Sequence, residues 1–234
     1  MIDEKLRKQY LQAMDIPIWV EKARGDNAES IGLDKSAEAA KPTADLHNPV
    51  AELSWEELEQ AVQQCHACDL YKTRTRTVFG SGNRQADLLL IGEAPGAQED
   101  LKGEPFVGRA GQLLNAMLFA IHLSREDIYI ANILKSRPPN NRDPKPDEVR
   151  ACTPFLERQI TLIQPKLIVA LGRISAHFLL KTNTPLNQLR GKTWKLPFYD
   201  IPLIVTYHPA YLLRSPLDKA KALLDWQKIH QILL

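Results

Sequence analysis

Four almost uninterrupted apolar runs constrain the fold of this chain more than any other feature. They are ADLLLIG (86–92), DIYIANIL (127–134), KLIVALG (166–172) and IPLIVTYH (201–208). Such runs are typical of strands that are buried on both faces, as in parallel sheets. The amphipathic stretches predict helices near 55–65, 108–122, 147–163, 173–181 and 217–233. The alternation therefore predicts a layered α/β domain with a mostly parallel sheet.

This domain fills residues 50–234, and the residues before it differ in composition. Residues 1–22 form an amphipathic pattern, whereas residues 23–49 are polar, lack aromatics and predict a flexible linker. The composition, 44% hydrophobic and 25% charged, is typical of a soluble globular protein, and the net charge of +2 indicates no particular partner. Because no run approaches the roughly 18 apolar residues of a membrane span and no signal peptide is visible, we expect a cytoplasmic protein that does not enter a membrane. We also expect a monomer.

Polar residues follow three of the predicted strands at the point where each strand ends. GEAPG (92–96) follows the first strand, Asn132 lies near the end of the second, and His208 comes just after the fourth. Ligands of parallel sheets bind beyond the carboxyl ends of the strands, so we expect these groups to converge on one pocket. Taken alone, however, GEAPG is more typical of a plain turn than of an active-site loop.

The longer block GEAPGAQEDLKGEPFVGRAGQLL (92–114) resembles the first motif of the family 4 uracil-DNA glycosylases, the iron–sulfur branch of the uracil-DNA glycosylase superfamily. The resemblance continues through IYIANILKSRPPNNRDPKPDE (128–148), VALGRISAHFLL (169–180) and VTYHPAYLLRSP (205–216), and covers essentially all of 52–234. It implies a three-layer αβα fold with a central, mostly parallel four-stranded sheet. It also implies a DNA base-excision repair enzyme that hydrolyses the N-glycosidic bond of flipped-out uracil and leaves an abasic site.

The resemblance further implies roles for the residues that match the family motifs. Uracil would stack on Phe106 next to Gly92, and the Asn132 amide would read its Watson–Crick edge, favouring uracil over cytosine. His208 would donate a hydrogen bond to uracil O2 as negative charge develops on the leaving base.

The water-activating group is less directly implied. Better-known uracil-DNA glycosylases carry Gly-Gln-Asp-Pro-Tyr here, and Ala94 stands in the place of their aspartate. Glu93 and Glu99 are the candidates to orient water or to stabilise the positive sugar. For Glu99, a solvated loop charge is an equally good interpretation.

Candidate DNA contacts follow in HPAYLLR (208–214) and in the loop after the second strand. Leu212 and Leu213 offer one residue to wedge into the base stack and one to join the core, with Arg214 near a phosphate. Arg137 and Arg142 would add phosphate contacts, although each alone is more typical of an ordinary surface charge.

The three cysteines depart from the family pattern. Relatives hold a [4Fe–4S] cluster with four cysteines; here Cys65, Cys68 and Cys152 match, but Ser136 replaces the remaining one. Thiolate is much the better ligand for iron–sulfur clusters, so the substitution should weaken the site. Three interpretations remain open: a cluster held by three thiolates, with oxygen or open iron at the fourth position, a degraded or absent cluster, or an engineered serine.

The N-terminal peptide suggests a second function. YLQAMDIPIWVEK (10–22) resembles the N-terminal peptide of the psi subunit of bacterial DNA polymerase III, which docks on the clamp loader. Ile16, Ile18 and Trp19 would then anchor residues 1–22 to the clamp loader or its chi subunit. A helix that caps the parent domain is the alternative. A non-catalytic, psi-like replisome adaptor on a degenerate glycosylase fold is accordingly the alternative function.

Overall fold

A computed structural model describes residues 50–197 and 199–234. The predicted peptide 1–22, with Ile16, Ile18 and Trp19, and the predicted linker 23–49 lie outside the described residues. In chain order the helices are α1 (Trp55–Gln63), α2 (Ala97–Lys102), α3 (Arg109–Phe119), α4 (Pro146–Ile163), α5 (Arg173–Leu180), α6 (Leu186–Leu189), α7 (Pro209–Arg214) and α8 (Lys219–Leu233). The strands are β1 (Ser81–Gly82), β2 (Leu88–Gly92), β3 (Ile128–Asn132), β4 (Leu167–Leu171), β5 (Thr193–Lys195) and β6 (Pro202–Thr206).

The sheet has the order β1-β3-β2-β4-β6-β5. Its four inner strands are parallel and correspond to the four apolar runs, so the predicted parallel core is confirmed. The predicted strand count of four is wrong, because β1 and β5 add antiparallel edges. These edges are only two and three residues long and largely exposed, and they therefore carry no apolar run that marks a strand.

Side chains alternate along the inner strands and build two apolar layers. Leu89 and Ile91 pack towards α4 and α5, whereas Leu88 and Leu90 pack towards α3 and α8. The predicted three-layer αβα arrangement is thus confirmed. Within the described residues, no helix is both long and apolar enough to span a membrane.

Candidate active site

A pocket of about 440 Å³ lies beyond the carboxyl ends of the parallel strands. Parallel pairing sets Gly92, the last residue of β2, beside Asn132, the last residue of β3. His208 follows β6 by two residues and begins α7. The predicted candidates around this pocket are Glu93, Glu99, Phe106, Asn132, Arg142, His208 and Arg214. Strand ends in register therefore bring together residues that are far apart in sequence.

Gly92 provides the space in which two of these side chains meet. A Cβ atom on Gly92 would lie 2.3 Å from Asn132 Oδ1 and 2.9 Å from the Phe106 ring. Asn132 is buried, and its Oδ1 finds no hydrogen-bond partner among the described residues. Because buried polar atoms are nearly always paired, this acceptor indicates a site for a ligand donor.

His208 is held in one orientation by the start of α7. Its Nδ1 accepts a hydrogen bond from the Ala210 backbone N–H at 3.1 Å, so a neutral ring carries its proton on Nε2. Burial and, to a smaller extent, the positive charge of Arg214 lower the pKa of His208 from 6.5 to about 4. The ring lies 5.4 Å from that of Phe106, measured between centroids. At neutral pH His208 is therefore an uncharged donor beside an aromatic surface.

The Glu93 carboxylate lines the pocket and has a pKa well above its usual value. Burial and, to a smaller extent, the negative charge of Asp143 raise the pKa of Glu93 to about 7, against the opposing positive charge of Arg173. Asp143 and Arg173 form an ion pair with a nitrogen–oxygen distance of 2.9 Å. Glu93 can therefore gain or lose its proton near neutral pH, as catalytic groups that orient water or stabilise a positive charge often do.

Glu99 has a different environment. Its Oε1 accepts hydrogen bonds from the backbone N–H groups of Val107 at 2.9 Å and Gly108 at 3.0 Å. Gly108 precedes α3, so the carboxylate also neutralises the start of that helix. Through these contacts the Glu99 carboxylate binds the loop that carries Phe106. Glu93 is therefore the more available of the two acids for catalysis.

The predicted DNA contacts divide into engaged and available groups. Leu212 is 1% exposed and packs in the core, which leaves the half-buried Leu213 as the candidate wedge. Arg142 donates two hydrogen bonds to Glu148, whose carboxylate balances its charge. Arg137 donates to Asn141 at 2.7 Å, whereas Arg214 is exposed at the pocket. Arg214 is therefore the most available cation of the three.

The candidate cluster residues meet only in part. Cys68 and Cys152 share a hydrogen bond that lowers the pKa of Cys68 to about 6. Ser136 is buried, and its hydroxyl accepts a hydrogen bond from Arg74 at 3.1 Å. In the described part of the chain, no three Cys, His, Asp or Glu residues are arranged as ligands of a metal ion. This donor set does not fit a cluster held by four thiolates.

Two groups near the site were missed in the sequence. Asp143 lies in the polar segment after β3, where the sequence pattern indicated only basic residues as candidates, and its negative charge raises the pKa of Glu93. Arg125 donates to the carbonyl oxygens of Pro105 and Phe106. Backbone partners leave no residue pattern, so the sequence carries no signal for this second contact.

The sequence of this chain is similar to sequences of known proteins. The family model of the uracil DNA glycosylase superfamily matches residues 79–229 of this chain. The type-4 uracil-DNA glycosylase of Archaeoglobus fulgidus is 44% identical over 185 residues, which cover 76% of this chain and 93% of that protein. The type-4 uracil-DNA glycosylase of Saccharolobus solfataricus is 45% identical over 74% of this chain and 83% of its own length. That of Thermotoga maritima is 42% identical over 68% of this chain and 82% of its own length. The chain belongs to the uracil DNA glycosylase superfamily and, within it, to the type-4 uracil-DNA glycosylases.

Proposed function

We propose that this chain is a DNA repair enzyme that hydrolyses the N-glycosidic bond of uracil in DNA and leaves an abasic site. The observation that carries the proposal is the unpaired, buried Oδ1 of Asn132 at the pocket. An unsatisfied buried acceptor costs about 1–3 kcal/mol. Uracil offers an N3–H donor to it, whereas cytosine has no hydrogen on N3. The same atom therefore supports both binding of uracil and rejection of cytosine.

The base must leave the duplex to reach this pocket. Flipping costs a few kcal/mol, and less for a mismatched base, which favours uracil opposite guanine. Phe106 supplies an aromatic surface for the flipped base, and Leu213 and Arg214 lie on the segment proposed to fill the stack and contact phosphate.

Departure of uracil places negative charge on the base. The neutral His208 would donate its Nε2–H to uracil O2, and this hydrogen bond strengthens as the charge grows. Because the pKa of His208 is about 4, its imidazole stays uncharged near neutral pH and donates this hydrogen bond as a neutral group. Glu93, once deprotonated, would orient the attacking water or stabilise the positive sugar. Because Glu99 is engaged by backbone N–H groups, we propose for it a role in holding the loop.

No step of this mechanism passes through an iron–sulfur cluster. The cysteine region includes the half-buried Cys65 and Cys68, and Ser136 in place of a thiolate. The site around Asn132, Glu93 and His208 is built from other residues. We therefore propose that the pocket chemistry does not require a complete cluster.

Incubation with a uracil-containing oligonucleotide, followed by alkaline cleavage of abasic sites, tests the function directly. We expect cleavage at uracil and none in matched cytosine or thymine strands. Asn132→Ala should lose most of this activity, whereas Asn187→Ala, at an exposed position of α6, should retain it. Absence of cleavage by an excess of folded protein would refute the proposal.

The adaptor alternative has no supporting observation in the described residues, where the candidate base-recognition groups still surround one pocket. Docking of residues 1–22 on the clamp loader or its chi subunit remains a proposal that rests on the sequence. We likewise keep a cytoplasmic location as a proposal.

A further inference from the structure

Phe106 has a backbone conformation that is unusual for a bulky residue. Its φ angle is +55°, in the left-handed region that an aromatic side chain rarely adopts. Such conformations persist only where the surrounding structure holds them, and they cluster at functional sites. The contacts that hold Phe106 therefore decide where its ring lies in the pocket.

Arg125 holds this segment from outside the pocket. It lies between α3 and β3, and its guanidinium donates to the Pro105 carbonyl oxygen at 2.7 Å and to the Phe106 carbonyl oxygen at 3.1 Å. Weaker contacts of 3.4 Å reach Asn115 and Ser81. Throughout the described ranges, no carboxylate lies within ion-pair distance of Arg125. Its hydrogen-bonding capacity is thus directed mainly at two consecutive carbonyls.

The other side of the same segment is also held. Glu99 accepts the N–H groups of Val107 and Gly108, so the peptide after Phe106 is bonded through both its oxygen and its nitrogen. A Cβ atom on Gly111 would lie 1.7 Å from the Phe106 carbonyl oxygen, which shows how closely α3 approaches this peptide. Glu99 lines the pocket and Gly111 packs against the Phe106 peptide, whereas Arg125 can be substituted without replacing a residue that lines the pocket.

We propose that Arg125 is a positioning residue for uracil excision, which fixes the stacking surface of Phe106 by binding the carbonyls on either side of its α-carbon. The inference rests on the proposed function, because it needs a base that stacks on Phe106. A planar guanidinium reaches two carbonyls at once, whereas the ammonium of a lysine is a single point charge on a flexible stem. Lysine should therefore not replace Arg125 fully.

The first test compares Arg125→Gln and Arg125→Lys with a matched control. Arg158→Gln serves as the control, because the part-buried Arg158 also donates to a backbone carbonyl, that of Leu53, far along the chain from the pocket motifs. We expect kcat/KM on uracil DNA to fall about 10-fold to 100-fold in Arg125→Gln, as small misplacements of binding groups do. Arg125→Lys should lie between this variant and the unaltered chain, and Arg158→Gln should retain activity.

A double-mutant cycle separates positioning from a general loss of structure. Arg125→Gln should lower kcat/KM strongly in the unaltered chain and by less than about twofold in a Phe106→Ala background, because the ring it positions is then absent. Inhibition by free uracil should also weaken in Arg125→Gln, while affinity for abasic DNA, which has no base to stack, should remain.

Three results would overturn the inference while the proposed function stands. They are unchanged kcat/KM in Arg125→Gln, equal losses in both backgrounds, or parallel losses of free-uracil and abasic-DNA binding. If Arg125→Gln does not fold, the same cycle is run with Arg125→Lys and judged by the same criteria. Failure of the unaltered chain to release uracil would instead refute the proposed function.

Discussion

At the scale of single residues, the pocket depends on the missing side chain of Gly92. We predict that Gly92→Ala removes most uracil excision, because its Cβ would lie 2.3 Å from Asn132 Oδ1 and 2.9 Å from the Phe106 ring, too close for either side chain to keep its position. The expected loss in kcat/KM is about 100-fold. Gly191→Ala is the control, since no atom lies within 4 Å of the added methyl group; with φ at +74° it should lower stability but leave activity per folded molecule unchanged. Equal activities of the two variants would contradict this account of Gly92.

The charge of Glu93 gives a pH-dependent prediction. A pKa raised to about 7 means that the acid keeps its proton at pH 6 and becomes a carboxylate by pH 8. We therefore expect single-turnover rates to rise across this interval, while His208, with a pKa of about 4, stays neutral throughout. Glu93→Gln should abolish the rise.

The variant Asp143→Asn tests the same pKa of Glu93 in a second way. Because the negative charge of Asp143 raises the Glu93 pKa, its removal should shift the rise towards lower pH. A rate that falls as pH increases through 7 would show that protonated Glu93 is the active form and would contradict the proposed role.

At the scale of elements, the sequence predicts what continuous side-chain patterns encode. The inner strands and the helices α3, α4, α5 and α8 are found within a few residues of their predicted bounds, because each buries a long apolar run or stripe. Ser81–Gly82 has no such run, and its pairing with β3 depends on backbone groups alone. Strand-end convergence could likewise be predicted for Asn132 and His208, whereas the contact of Arg125 with two carbonyls, 19 and 20 residues away, could not.

The cysteine region joins three elements and gives a prediction about iron. Cys65 and Cys68 follow α1, Ser136 follows β3, and Cys152 lies in α4. With a serine in place of one thiolate, anaerobically reconstituted protein should hold fewer than the roughly four iron atoms of a complete cluster. Ser136→Cys should reach about four and turn brown.

Two variants control for nonspecific iron. Ser136→Ala should hold no more iron than the unaltered chain, and Ser215→Cys, which adds a thiol elsewhere, should not gain a complete cluster. A full iron content in the unaltered chain, measured chemically and by visible absorbance, would show that Ser136 or another ligand completes the site.

At the scale of the whole molecule, the pocket and the superfamily match both lie within residues 50–234. We predict that deletion of residues 1–22 leaves kcat/KM for uracil excision within about twofold, because the pocket described here is lined by strand ends, loops and helices of that domain. If residues 1–22 dock on the clamp loader, the full chain should retain purified clamp-loader subunits in a pull-down, and the deletion should lose them.

The point variant Trp19→Ala distinguishes docking from folding. If Trp19 anchors the peptide to a partner, this variant should lose retention of the clamp loader while its thermal unfolding and uracil excision match those of the full chain. If the peptide instead caps its own domain, both Trp19→Ala and the deletion should lower the unfolding temperature, because either change removes apolar contacts with that domain. Equal clamp-loader retention by all three proteins would refute a docking role for Trp19 and for residues 1–22, since a lost anchor must weaken the interaction it supports.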